Sequence, residues 1–571
     1  MATQPPLLRK LLILLGGVSA IVLVIILSFR LWIQPLVDQA VQLGLSQLHE
    51  QGYQVNYQKL KFHPLRREIV LRGASVSVDT AQVAGNYFTG ELAELKIKLN
   101  QYPYWETDRF LAIQQIHLQN PVIRLHSSDT IYQTDESSKP LSYYALIQPF
   151  LDSLSIESIR IENGQLKQAL SQKIRDTLVV SGINIALTDL YLDSLRSSTN
   201  QGLPTLASFN ISLDSVRQMS KDSLYAFSVG AVEVDVLDKT IHIQDFQVQP
   251  TFNKDELITL FDQQHNQFAA KISSLKVTGI QLNQWVKSTQ LRAQRISVDS
   301  AHLAIFKDKR LLQNRAVKPL LQTMLQSVPL AFQVDTIIVQ ASQIEYEERN
   351  GLSNRSGRIS FDRLYASLYG ATNIFSSQNT FEANIRAAFM NAGIFDLSLR
   401  VPLNSEQGYH QIRGELSQMH LDKLNPFLEP VAFASVKSGM LNKLTFEINA
   451  DERISTGKAY FIYDDLKISL VNQEHPKNPA IREMLGTWVA NWFVVKTDNP
   501  TRNQPLRVGQ IYYERDPGRS VFSYWCYSLL SGLKASIGLS KPGEVTASTQ
   551  AITKEEERPG LIKRIFKKSK N

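Results

Sequence analysis

The chain has a single cysteine, Cys526, among 571 residues. No internal disulfide can form, so buried core area must hold the body together in any redox compartment. Signatures of chemistry are equally scarce. The ten histidines are scattered, no His-Glu-x-x-His occurs, and no second cysteine is there to share a metal, which excludes the common zinc patterns. No Gly-x-Ser-x-Gly occurs, so a serine-hydrolase elbow is absent. Gly85 to Gly90 has phosphate-loop spacing, but Glu91 stands where lysine is needed. Gly457-Lys458 lacks both the earlier glycine and the following hydroxyl, and both segments read as turns. His117, His242 and His302 fall at polar phases of alternating segments, and Asp464-Asp465 reads as a turn. The sequence therefore predicts no enzyme, catalytic residue, metal or cofactor.

Charge of one sign is also missing from the body. Lysine and arginine number 61 against 53 acidic residues, a net +8, yet residues 554–571 alone hold seven basic and three acidic groups. Half of the excess sits in that tail, which excludes an extended nucleic-acid track. With 43% hydrophobic residues, disorder is excluded for most of the length.

One long apolar run is present, Leu11 to Phe29. At about 1.5 Å per residue it spans roughly 28 Å, the hydrocarbon thickness of a bilayer. Ser28-Phe29-Arg30-Leu31-Trp32 is not a small-x-small cleavage site, so a retained anchor is favoured over a cleaved signal. Arg9 and Lys10 precede the span, which places the N-terminus in the cytoplasm and the body outside. Pro35 then opens an amphipathic helix that Gly52 stops, read as a cap on a β-core end or a membrane-surface helix.

From Tyr53 the hydrophobic period changes to two. Leu95-Lys96-Ile97-Lys98-Leu99 and Val232-Glu233-Val234-Asp235-Val236 alternate strictly, as strands with one dry and one wet face do. A strand-turn-strand pattern recurs: Ile113, Ile116, Leu118, Ile123, Leu125, and 180 residues later Ala293, Ile296, Val298, Leu303, Ile305. Asn120-Pro121, Asn163-Gly164, Ser300-Ala301 and Ala341-Ser342 stand at the predicted corners. Lys139-Pro140-Leu141 and Lys318-Pro319-Leu320 each open a short helix. A tandem duplication explains this order of elements, with chance matching of common β-patterns as the alternative. Later, a helix is expected over residues 481–492, and strands over 508–513 and 521–524.

The expected organisation is a cytoplasmic N-terminus and transmembrane anchor (1–34), a capping helix (35–52), two β-groove repeats (53–230 and 231–410), a C-terminal β region (411–550) and a tail (551–571). The fold class is mainly β, an N-terminal transmembrane helix followed by an elongated, curled β-sheet groove of repeated strands with a few short capping helices. In the tail, Leu561, Ile562, Ile565 and Phe566 interleave with Lys563, Arg564, Lys567 and Lys568. That segment is either a basic amphipathic helix on an anionic lipid surface or a solvated end.

Ile116-His117-Leu118-Gln119-Asn120-Pro121-Val122-Ile123-Arg124-Leu125 joins the anchor and helix in a wider resemblance. So do Ser438-Gly439-Met440-Leu441, Leu444-Thr445-Phe446, Gly457-Lys458-Ala459-Tyr460, Tyr463-Asp464-Asp465-Leu466-Lys467-Ile468 and Ala490-Asn491. In that order the elements resemble the AsmA-like envelope proteins of diderm bacteria, relatives of TamB and of bridge-like lipid-transfer proteins. The resemblance implies a single-pass inner-membrane protein whose periplasmic body forms a curved β-groove, although this chain is much shorter than the largest members. It implies membrane phospholipid as a partner, with an outer-membrane or other envelope protein as a further one, and no nucleic acid. The candidate groove floor is Ile116, Leu118, Ile123, Leu125, Ile159, Ile161, Ile296, Val298, Ile337 and Val339. The competing reading is a structural or assembly factor that engages a polypeptide through a β-edge or the groove.

Overall fold

The computed structural model describes residues 53–63, 66–78, 87–101, 109–126, 151–169, 178–193, 205–281, 290–350, 355–374, 379–471 and 495–539. These are mainly β, with 24 strands and a few short helices. The expected anchor from Leu11 to Phe29, the helices at 35–52 and 481–492, the short helix opened by Lys139-Pro140-Leu141, and the tail lie outside the described residues. Among the described residues no helix is long and apolar enough to cross a membrane.

The chain divides into two compact units. The first comprises residues 1–251, 269–299 and 329–331, and the second comprises 252–268, 300–328 and 332–571.

In the first unit, β1 (Tyr53–Asn56) and β2 (Lys59–His63) both pair with β3 (Glu68–Val78), which pairs with β4 (Tyr87–Leu99). Next come β5 (Phe110–Gln119) and β6 (Val122–His126), both antiparallel to β4 and both parallel to β7 (Ser153–Ala169). Parallel neighbours need a dozen or more residues between them, and residues 127–152 separate β6 from β7 in the sequence. Antiparallel pairing then carries the sheet through β8 (Leu178–Asp193) to β9 (Ser208–Leu213) and β10 (Ser215–Met219). These pair in turn with β12 (Ala231–Asp235) and β11 (Tyr225–Val229). Finally β13 (Thr240–Pro250) pairs with β14 (Asn266–Thr278). Where two short strands share one neighbour, they lie end to end and occupy the place of one long strand.

The predicted corners are not turns. Asn163-Gly164 lies inside β7, and Asn120-Pro121 joins β5 to β6 without reversing direction. Asn120 and Asn163 adopt positive φ of 50° and 52°, and each strand carries one residue beyond strict alternation there, which between β7 and β8 shows as a β-bulge. These phase-shifting positions are in register. Gly73 lies between the paired positions Arg72–Glu94 and Ala74–Leu92, and Asn120-Pro121 between Gln119–Glu162 and Val122–Gln165. Gly182, Asp214, Gly230 and Asp245 continue the line through β8 to β13. Asn163 Nδ2 donates to Asn120 Oδ1 at 2.7 Å, and the Asn163 backbone N–H donates to Asn184 Oδ1 at 3.0 Å. One extra residue shifts the apolar phase from a spacing of two to a spacing of three and keeps both halves of each strand dry on the same side. Leu213 and Val216, or Ile243 and Phe246, show that spacing.

The second unit is an antiparallel meander: β16 (Ala331–Arg349), β17 (Ser356–Thr372), β18 (Thr380–Phe389), β19 (Gly393–Pro402), β20 (His410–Leu416), β22 (Ala434–Ala450), β23 (Ile454–Leu470) and β24 (Gly509–Glu514). The short β21 (Met419–His420) also pairs with β22, and β15 (Gln290–Asp308) precedes the meander in the chain. Ser300-Ala301 and Ala341-Ser342 again sit inside strands, β15 and β16, with Ser300 and Ala341 at positive φ. Asp464-Asp465 and Gly457-Lys458 likewise lie within β23, correcting the turns expected there. The helices are α1 (Leu257–Leu260), α2 (Leu321–Gln326), α3 (Asn425–Ala432) and α4 (Val521–Ser536). Helix α2 follows Lys318-Pro319-Leu320 as expected. Val521 to Tyr524, expected as a strand, forms the first turn of α4 behind the Ser520 cap, whose hydroxyl accepts from the Ser523 N–H.

Candidate apolar binding site

Paired ionic groups mark the wet face of the first unit. Arg72 and Lys96 both bridge Glu94, at 2.6 and 2.5 Å, and hold its carboxyl below the usual range, Lys96 contributing most. Arg124 bridges Glu91 at 2.7 Å. His242, on a polar phase, faces Ser274 at 3.0 Å.

The opposite face is built from cross-strand apolar rows. Register places Leu71, Leu95, Leu118, Ile161, Ile185, Ile211, Val234, Ile241 and Val277 side by side, one per strand position from β3 to β14. A second row across the bulges runs Ile123, Leu166, Val180, Val216, Val229. Alternation alone produces these rows, because in-register strands bring like phases together.

The rows differ in cover along their length. Leu95, Leu118 and Ile161 are at most 5% exposed, and with Ile97, Ile116, Ile156 and Ile159 they form one packed cluster. Ile123, Leu125, Leu166 and Val180 form another. From β9 to β13 no side chain is fully buried: Ile211, Leu213, Val216, Val232, Val234, Ile241 and Ile243 are all half-buried. The row closes again at Val277, which packs in one cluster with the buried Ile280. A contiguous apolar patch left half-covered is the part of this face able to receive further hydrocarbon.

The expected floor residues therefore fall into three groups. Ile116, Leu118, Ile123, Leu125, Ile159 and Ile161 are sealed within the packed clusters of the first unit. Ile296 and Val298 are half-buried in the same unit. Ile337 and Val339 are half-buried in the second unit, packed beside its two cores. The β9–β13 patch was not among the floor candidates, although the strict alternation of residues 232–236 is its sequence signal.

In the second unit helices cover the dry face. Helix α4 presents Val521, Tyr524, Ser528, Gly532 and Ser536 to β22–β24, and its backbone approaches closely at Gly532, where a Cβ on Gly509 would lie 2.0 Å from the Gly532 carbonyl. Ser528 and Ser455 hydroxyls meet at 2.6 Å in this buried seam. Tyr463, fully buried, donates to the Lys496 carbonyl at 2.9 Å, and burial pushes its phenol pKa up. Among the described residues no group of three or more His, Cys, Asp or Glu could hold a metal.

No protein-family model matches the chain, and no curated protein sequence matches it.

Proposed function

We propose that this protein handles lipid without catalysing a reaction. Acyl chains lie on the half-open apolar rows of β9–β13 and headgroups stay in water. The observation that supports this reading is the cross-strand row that changes from sealed at β4–β7 to half-covered at β8–β13 while remaining apolar at every position. Each methylene fully removed from water stabilises binding by about 0.8 kcal/mol, and a chain half-covered on such a surface gains a fraction of that per methylene, summed along its length without a polar anchor. With the Leu11 to Phe29 anchor and the AsmA-like order of motifs, the wider proposal is a single-pass inner-membrane protein. Its elongated periplasmic β-groove holds or transfers phospholipid in support of outer-membrane lipid homeostasis.

A photo-crosslinking residue at Ile211, Val234 or Ile241, followed by native mass spectrometry of the full chain, tests the reading. Phospholipid adducts are expected, and Val234→Glu should lower uptake of a fluorescent phospholipid without unfolding the protein, since the side chain is half-buried. Adducts to a polypeptide would favour an assembly factor instead. A lipid-free protein that takes up no lipid would overturn the proposal.

A further inference from the structure

The wet face of the second unit is not flat. Across β16 to β23 its side-chain rows border an open trough of about 720 Å³. One cross-strand row crosses it: Tyr365, Arg386, Asp396, Glu415, Thr445 and Tyr460. A tyrosine stands at each end of that row. Tyr365 is 51% exposed and Tyr460 38%, high for rings beside a concavity, and neither stacks on another aromatic among the described residues. Six strands at about 4.8 Å set the two rings on the order of 24 Å apart along the sheet.

The ionic groups between them are matched. Arg386 pairs with Asp396 at 3.2 Å, Arg413 with Glu447 at 3.2 Å, and Lys443 with Glu415 at 2.9 Å. A charged ligand gains little here, because each exposed charge already has an opposite neighbour and is screened by water. An uncharged ligand rich in hydroxyls gains from both signs, because a hydroxyl donates to carboxylate and accepts from guanidinium at once. Exposed tyrosine rings offer apolar faces to the C–H side of a sugar ring, and Asn384 and Ser398 in the adjoining row add neutral donors and acceptors.

We infer that this trough binds a neutral oligosaccharide, its sugar rings resting on Tyr365 and Tyr460 and its hydroxyls bridging the paired charges between. The inference stands on the second unit alone and does not depend on lipid binding by the first. Titration of the purified full chain in a sugar-free detergent with cellohexaose, fully N-acetylated chitohexaose and xylohexaose, each long enough to reach both rings, followed by calorimetry or saturation-transfer NMR, tests it. At least one should bind, with Tyr365→Ala and Tyr460→Ala each weakening it by about tenfold and unfolding midpoints unchanged. Failure of all three to bind up to about 10 mM would overturn the inference. So would equal affinity in the two alanine variants, or a preference for a charged peptide or an anionic oligosaccharide.

Discussion

Trp525 Nε1 donates to His410 Nε2 at 2.8 Å, tying helix α4 to the first residue of β20. Indole nitrogen only donates, so Nε2 must accept and the imidazole proton sits on Nδ1, which faces the Gly408 carbonyl at 2.8 Å. His410 is 2% exposed, and burial, aided by Arg515 and opposed by the Gly408 bond and by Asp451, holds its pKa below the ordinary value. A neutral imidazole is therefore part of the fold.

The sign of the pH dependence follows. The unfolded chain takes up a proton at His410 near pH 6.5 and the folded chain only lower, so this contribution is whole above that pH and declines below it. The limiting slope is about 1.4 kcal/mol per pH unit. Denaturant unfolding across pH 5 to 8 should show the loss, and His410→Asn should flatten that limb while lowering stability at neutral pH. An unchanged slope in the variant would refute the assignment.

The bulge line makes a graded prediction. Gly182 has φ of +64°, and a Cβ there would sit 2.0 Å from Asp214 Oδ2, so Gly182→Ala should cost about 2 kcal/mol. Asn163→Gly keeps the positive φ but gives up the bond to Asn120, and should cost about 1 kcal/mol. Thermal melts of the two variants should fall in that order.

The contact of α4 with β24 separates two glycines. Gly509→Ala would push a methyl against the Gly532 backbone carbonyl and should cost about 3 kcal/mol, with α4 becoming protease-sensitive. Gly532→Ala meets side-chain carbons, Ile511 Cγ1 at 2.7 Å and Ala459 Cβ at 3.1 Å, rather than a backbone carbonyl at 2.0 Å, and should cost less. Limited proteolysis near residue 520 reads the difference.

Asp308 is 0% exposed and takes a forked contact from Arg310, Nη2 to Oδ2 at 2.7 Å and Nε to Oδ1 at 3.0 Å, with Arg349 at 3.6 Å. Removing its charge leaves the Arg310 guanidinium without its carboxylate, while Arg349 keeps Asp255 at 2.6 Å, so Asp308→Asn should cost about 3 kcal/mol. The double variant Asp308→Asn/Arg310→Met should recover part of that loss in chemical denaturation.

Strand identity and the dry phase were legible wherever alternation was strict, as in Leu95 to Leu99 and residues 232–236. Bulges were not. Asn, Gly, Ser and Asp tolerate positive φ in turns and bulges alike, and only cross-strand pairing distinguishes the two, so a three-residue gap such as Leu213 to Val216 reads equally as a corner. Helix α4 was misread at its start because Val, Phe and Tyr favour strands. Its sheet-facing stripe is completed by Ser528, Gly532 and Ser536, small residues that carry no hydrophobic signal. Which part of the dry face is covered was beyond sequence altogether, since Ile211 and Ile161 look alike until their neighbours are known.

The aligned extra residues act as detents. A strand sliding by one position during folding would set its kink against a neighbour's straight segment and turn its greasy side chains to water, two penalties for one slip. In a sheet of many similar ribbons, where almost any pair could join, that notch tells each ribbon where to stop.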